Sequence, residues 1–302
     1  MAEHTLEGQT LRGRGRLVDY TNLVKLPHTV FALPFAGVGV VLASYRFPLR
    51  TLDVLWILLA FTSARFAAMG FNRIADRALD AQNPRTRGRE IPAGRLSVSE
   101  AAVAVALASA LFLASAALLN PLCLALAPFA LAWVFFYSYT KRFTRWAHLV
   151  LGFALAIAPV GAYLAVAGRW SEPAGALLVL AGAVLCWVAG FDILYSLQDE
   201  AFDRAQGLHS LPAALGAARA ITVSRLLHAL SAAGFLALGF LFAELGPLYF
   251  AAVALIAGML AYEQSLVRPG DLSKLDAAFF NLNGAISVLF FGLVLAERLL
   301  AR

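Results

Sequence analysis

TLDVLWILLAFTSARFAAMGFNRIADRALD, residues 51–80, decides what kind of chain this is. It runs apolar for about 20 residues, the length that crosses a bilayer as a helix. It then ends in a polar motif, Asn72, Asp76 and Asp80. A second stretch, ALLVLAGAVLCWVAGFDILYSLQDEAFD at 176–203, repeats the plan with Asp192, Asp199 and Asp203. Arg65, Asn72 and Asp76 keep the same mutual spacing as Asp192, Asp199 and Asp203, seven residues and then four. Carboxylates four residues apart share a helix face, about 6 Å apart along the axis. A residue seven positions earlier sits on that face about two turns deeper. Two such helices facing each other would make a cage of hard oxygen ligands, which suits Mg²⁺ and a diphosphate.

The composition agrees with a membrane chain. Of 302 residues, 61% are hydrophobic and only 14% charged, against roughly 25% charged in soluble domains. Spanning runs are predicted at 28–45, 52–72, 99–119, 121–140, 146–167, 174–197, 220–243, 246–266 and 277–299. That is nine transmembrane helices, all-α, because lipid-exposed backbone must satisfy itself and no run shows strand alternation. The 99–140 pair is divided only by Asn120-Pro121, so a re-entrant hairpin is an alternative there. Pro34, Pro128 and Pro159 lie inside spans, as kinks that widen a cavity or as ordinary membrane-helix prolines. Cys123 and Cys186 sit in apolar runs and read as packing residues.

Orientation follows from the 24 Lys and Arg residues. With the N-terminus in the cytoplasm, only Arg46, Arg50, Arg169, Arg298 and Arg302 fall on the far side, and Arg65 lies inside a span. The rest are cytoplasmic, as the positive-inside rule demands. Both acidic motifs then face the cytoplasm, at the ends of the second and sixth spans. The net charge of +6 is explained by topology, and nucleic-acid binding is a poor account of it. Residues 1–24 read as a flexible cytoplasmic tail without a cleavage site, and 25–302 as one transmembrane domain. Polar connections follow each motif at 81–98 and 204–218, which suggests a parallel repeat of four-helix units plus a ninth helix.

The motif acids at solvated helix ends need no function singly, but two sets at matched spacing point to a shared ligand. Four carboxylates in one cavity repel unless cations bridge them. Arg85, Arg87, Arg89 and Arg95 follow the first motif, and Tyr137, Tyr139, Lys141, Arg142 and Arg145 close the fourth span. Topology accounts for part of this set; the remainder would hold a departing diphosphate. Arg65 and Asp192 are deep ionisable residues, a functional hypothesis by default. Either they form a salt bridge, or Arg65 holds an acidic acceptor or phosphate while Asp192 orients a phenolic hydroxyl or takes the ring proton. His28, His148, His209 and His228 show no ligand spacing and read as satisfied polar residues, with His28 and His209 near the rim. Phe31, Phe35, Phe66, Phe71, Phe135, Phe136, Tyr137, Phe191 and Tyr195 are core or lipid aromatics, a few of them suited to shield a carbocation.

These residues resemble the UbiA superfamily of intramembrane aromatic prenyltransferases. The similarity rests on Arg65-x₆-Asn72-x₃-Asp76-Arg77-x₂-Asp80 with Arg85-Thr86 and Ile91-Pro92-Ala93-Gly94. It rests also on Tyr137-x₃-Lys141-Arg142, on Asp192-x₂-Tyr195-x₃-Asp199-x₃-Asp203 with Gly207-Leu208-His209-Ser210, and on KLPHTVFALP at 25–34. The resemblance implies nine helices around a central cavity and a polyprenyl diphosphate held through Mg²⁺. Carried over, Asn72, Asp76, Asp80, Asp199 and Asp203 hold the metal. Asp76, Asp199, Lys141 and Asp192 carry the chemistry, and Lys25, Arg65, Asn72, Arg77, Lys141, Arg142 and Tyr195 bind substrate. Asn72-Arg73 and Arg89-Glu90-Ile91 depart from the 4-hydroxybenzoate pattern. With HTVFALPFA and FDILYSLQDEAFD, they look closer to the menaquinone branch that starts from futalosine and prenylates a dihydroxynaphthoate. The expectation is therefore a multi-pass inner-membrane enzyme of menaquinone or ubiquinone synthesis, with 4-hydroxybenzoate as the other acceptor and no nucleic-acid partner. A secondary transporter, and a haem- or chlorophyll-type prenyltransferase, are the alternatives.

Overall fold

The computed structural model describes residues 15–24, 26–171, 173, 175–275 and 277–300, and side chains there except those of 26–31 and 277. Lys25 lies outside the described residues, as do the side chains of His28 and Phe31. The helices are α1 (Arg16–Leu23), α2 (Leu26–Ser44), α3 (Thr51–Gln82), α4 (Val98–Leu119), α5 (Pro121–Thr140), α6 (Ala147–Ala167) and α7 (Ala176–Ser196). There follow α8 (Glu200–Ala205), α9 (Leu211–Leu215), α10 (Ala217–Leu241), α11 (Pro247–Leu266) and α12 (Asn283–Leu300). No β-strand occurs among the described residues. Eight segments are long and apolar enough to cross a membrane, and α2 contributes a shorter apolar stretch, Ala32–Ser44. The expected nine-helix plan is thus met approximately. Part of the expected tail is ordered: Arg16–Leu23 is helical and buries Leu23.

α3 is the element that builds the site. Its 32 residues extend about 48 Å at 1.5 Å per residue, well beyond a hydrocarbon core of about 30 Å. The excess carries Asn72, Asp76 and Asp80 past the apolar layer on a continuous helix. α7 behaves differently. It ends at Ser196, tightens into a 3₁₀ turn over Leu197–Asp199, and resumes as α8. Asp199 and Asp203 therefore sit on a turn and a short helix, not on the one uninterrupted helix that the spacing suggested.

α4 and α5 are two full helices, not a re-entrant hairpin. Asn120 makes the break: its side chain accepts from the Cys123 amide at 2.9 Å and donates to the Leu164 and Ala165 carbonyls of α6. Pro121 follows at the first helical position, where its missing N–H costs nothing. Pro34, Pro128 and Pro159 all lie inside helices.

α7 forms the buried centre, packed by α6 and α10. Phe35, Trp187, Phe235 and Phe290 fill the core, with Phe35 and Trp187 ring centroids 4.6 Å apart. Helices approach closely where glycine leaves room. A Cβ on Gly39 would collide with the Pro159 carbonyl of α6, the close contact that membrane helices use for packing. A π-helical turn, Ala277–Leu282, precedes α12. The Asn283 amide donates to the Ala278 and Phe279 carbonyls there, and to Glu263 at 3.0 Å. Its carbonyl accepts from Trp187 Nε1 at 2.8 Å. This network satisfies backbone that water cannot reach.

Candidate active site

The ends of α3, α5 and α7 converge on one polar cavity of about 170 Å³. Asn72, Asp76 and Asp80 of α3 line it, with Tyr137, Lys141 and Arg142 from the end of α5. Asp192, Tyr195, Asp199 and Asp203 close the opposite wall. A larger, apolar groove of about 760 Å³ lies between α3 and α4 and includes none of these residues.

Each motif carboxylate meets one cation. Arg142 Nη2 is 2.9 Å from Asp76 Oδ1, and Arg89 Nη1 is 2.6 Å from Asp80 Oδ1. Arg85 grips Asp199 with two nitrogens, at 3.0 and 2.6 Å, and Asn83 donates to the same carboxylate at 3.1 Å. Lys141 Nζ is 3.7 Å from Asp203 Oδ2. The repulsion that seemed to demand bridging metal is thus already relieved by four basic side chains. Arg142 also fastens α5 to α3, donating to the Ser138 and Ala75 carbonyls. Burial works to lower the pKa of Lys141, which lies beyond the end of α5. Asp203, Asp199, Asp192 and Asp76 outweigh burial and leave it raised.

The donor set fits a divalent metal. Asp80 Oδ2 and Asp203 Oδ2, one from each motif, are buried without a hydrogen-bond partner. Carboxylate oxygens without hydrogen bonds at such depth are costly unless a cation meets them. Lys141 reaches the Asp203 oxygen only at 3.7 Å, and the Asp80 oxygen has no ion-pair partner among the described residues. Among the described residues no three acidic, His or Cys side chains are grouped to hold an ion alone. Mg²⁺ needs no such cage, since one or two carboxylates, phosphate oxygens and water complete its shell. The Asn72 side-chain NH2 donates to Asp76 at 3.0 Å, which steadies that carboxylate and leaves the amide oxygen as an acceptor.

The deep pair is not a pair. Asp192 lines the cavity, but its partner is His148, with Nδ1 2.6 Å from Oδ2. Arg65 is not among the cavity-lining residues. Arg77 is exposed and donates to the Ile74 carbonyl at 2.8 Å, away from the cavity. Of the arginines after the first motif, Arg85 and Arg89 turn inward. Arg87 is exposed, and Arg95 binds Glu90 and the Gly88 carbonyl. Arg145 lies over the Trp146 ring, and His209 is exposed. Of the candidate aromatics, Tyr137 and Tyr195 face the cavity. Tyr195 is backed by Phe279 at 4.1 Å, while Phe71 stacks on Phe135 at 4.3 Å. Asn83 and the His148 contact went unread, because neither has a spacing that ties it to a motif on another helix.

Two of the residues that set this chain apart from the 4-hydroxybenzoate pattern, Arg73 and Glu90, avoid the site. Arg73 is buried and donates to the Leu23 carbonyl at 3.3 Å, which docks α1 on α3. Glu90 is buried beside Arg95 at 3.0 Å. Neither lines the cavity, so their departure from the pattern is accounted for by packing of the loop and α1.

Residues 32–285 match the UbiA prenyltransferase family. The chain is 31% identical to a 4-hydroxybenzoate octaprenyltransferase of Nitrosospira multiformis, over 93% of this chain and 96% of that one. In structure it is similar to a UbiA homolog from Aeropyrum pernix K1, with TM-score 0.81, 36% identity, and coverage of 89% of this chain and 98% of that one. A UbiA homolog from Archaeoglobus fulgidus bound to DMAPP and Mg2+ shares the fold at TM-score 0.73 and 21% identity, over 92% and 98% of the two chains. The acidic cavity at the ends of α3 and α7 thus sits in a multi-pass membrane enzyme, a prenyltransferase that belongs to the UbiA family.

Proposed function

We propose that the enzyme moves a polyprenyl group from its diphosphate to a hydroxylated aromatic acid, with Mg²⁺ as the metal, and so makes a quinone precursor. One observation carries this reading. Two buried carboxylate oxygens that accept no hydrogen bond, Asp80 Oδ2 and Asp203 Oδ2, belong to opposite walls of a cavity that also holds Arg85, Arg89, Lys141 and Arg142, and only a 3.7 Å ion pair with Lys141 reaches the second. That combination is matched to a divalent cation and a polyanion together. The relatives' names support an aromatic acceptor, and the Archaeoglobus neighbour supports Mg²⁺ with an allylic diphosphate.

Asp80 and Asp203 would hold the metal, aided by Asp76 and Asp199. When bound, Mg²⁺ neutralises diphosphate oxygens and makes the group a better leaving group. The four cations turn from their carboxylates to the phosphate oxygens as the C–O bond breaks and its electron pair leaves with the diphosphate. Tyr137 and Tyr195 line the cavity in which the allylic cation would form. The acceptor ring attacks, and Asp192 takes the ring proton. Asp76, Asp80, Asp199 and Asp203 would hold Mg²⁺ and the diphosphate at the polar end of the bundle, and the prenyl tail would lie among the helices.

Family membership sets the transporter alternative aside, and a haem-type enzyme would differ only in acceptor. Because Arg73 and Glu90 avoid the cavity, they do not argue for the naphthoate over 4-hydroxybenzoate. Purified enzyme given geranyl diphosphate, Mg²⁺ and an equal mixture of 4-hydroxybenzoate and 1,4-dihydroxy-6-naphthoate should yield one prenylated acid by mass spectrometry. Diphosphate release with neither product would contradict the reading.

A further inference from the structure

The contact between His148 and Asp192 joins the deepest acid of the second motif to a residue that belongs to neither motif, and its geometry fixes a protonation pattern. His148 is fully buried at the start of α6. Its Nε2 lies 3.4 Å from the Leu211 backbone amide, and its Nδ1 lies 2.6 Å from Asp192 Oδ2. A backbone N–H can only donate, so Nε2 must offer a lone pair. The ring proton of a neutral imidazole is then on Nδ1, and it is donated to the carboxylate. Oδ2 is thereby occupied. Asp192 lines the cavity, and its Oδ1 has no hydrogen-bond partner among the described residues.

We propose that His148 is a positioning residue for the transfer reaction: the Leu211 amide sets its tautomer, and its Nδ1–H holds Asp192 so that Oδ1 meets the acceptor. This rests on the aromatic-acceptor reading above. After the allylic carbon bonds to the ring, the arenium carbon carries both the prenyl group and a hydrogen. Asp192 Oδ1 takes that proton, the C–H electron pair restores the aromatic sextet, and Asp192 becomes a carboxylic acid. His148 keeps its proton throughout. Its role is to hold the base still and to favour the reactive oxygen, which is what an orienting partner does for a catalytic group.

The loop after the second motif completes the device. The His209 amide donates to the Lys141 carbonyl at 2.7 Å, and the Leu211 amide reaches His148 two residues later. Gly207, with φ of +66°, makes the turn that brings both amides round. One loop thus braces the α5 end, which carries Lys141, and the imidazole behind Asp192.

The test compares wild type, His148→Gln, His148→Asn and Asp192→Asn, using geranyl diphosphate, Mg²⁺ and the acceptor acid with hydrogen or deuterium on its ring. An Asn amide can stand where Nδ1 stood, whereas a Gln amide reaches the Nε2 position instead. In wild type, loss of the ring proton follows slower ionisation, and no isotope effect is expected. His148→Gln should slow transfer about 10-fold or more at saturating acceptor, expose a primary isotope effect and leave acceptor KM little changed. His148→Asn should recover much of the rate and suppress the isotope effect. Asp192→Asn should fall further than either. Diphosphate release without acceptor is measured alongside and should persist in His148→Gln. The proposal is overturned by His148→Gln transfer at the wild-type rate, by slowed transfer without an isotope effect, or by parallel loss of diphosphate release. Wild type that releases diphosphate yet alkylates no aromatic acid would sink the parent reading, and this one with it.

Discussion

At the scale of single residues, the site is a set of exchangeable ion pairs. Arg85, Arg89, Lys141 and Arg142 each hold a motif carboxylate, at 2.6 to 3.7 Å. Partly buried pairs of this kind add little net stability, but stranding one partner is costly. They are well suited to release their cations to an incoming polyanion. Lys141 illustrates this. Its pKa is raised above the ordinary 10.5 by the surrounding acids, despite burial. A group with a raised pKa stays charged until the pH climbs through that raised value, so the ammonium is constant across the neutral range. Lys141→Met should therefore lower kcat by about 10²-fold or more, by the same factor at every neutral pH. A factor that changed across that range would mean Lys141 titrates there. The acids, the lysine and the family were legible in the sequence because helical spacing and residue type are local. The choice of partner was not. Asp192 meets His148 instead of Arg65, and Arg77 faces away, because partner choice depends on helix rotation, which no local pattern records.

At the scale of elements, the site depends on one overlong helix and one interrupted one. α3 carries its acids outward without a break, and α7 stops short so that Asp199 and Asp203 can turn toward them. The apolar runs made the spans readable. The 3₁₀ turn at Leu197–Asp199 was hidden, since nothing in LQD marks a helix end. Close packing holds these elements in register. Gly39 leaves no room for a Cβ against the Pro159 carbonyl of α6, and that neighbour is backbone that cannot rotate away. Gly39→Val should destabilise the detergent-solubilised enzyme by about 1–3 kcal/mol or more, measured as a fall in Tm. An unchanged Tm would show that α2 and α6 are free to separate. Gly258, which has open space around it, is the control: Gly258→Ala should keep the wild-type Tm.

At the scale of the whole molecule, the bundle gathers charge at one end. We propose that this end faces the cytoplasm, as the positive-inside rule expects from Arg46, Arg50 and Arg169 at the opposite end. In a chain whose Cys123 and Cys186 have been replaced by Ala, a single cysteine at Arg87 should react with an impermeant maleimide only from the cytoplasmic face. One at Arg169 should react only from the other, and the reverse would invert the topology.

The central claim is that the two acidic clusters hold one metal–diphosphate between them. Its most direct test is a double-mutant cycle on binding of a non-ionising thiolo analogue of geranyl diphosphate, followed by calorimetry with and without Mg²⁺. Asp76→Ala and Asp199→Ala should each remove most of the Mg²⁺-dependent binding. The double variant should be little worse than either, because one shared ligand cannot be lost twice. Losses that simply add, or binding in either single variant that keeps its Mg²⁺ dependence, would mean that the clusters act on separate ligands and would contradict the account.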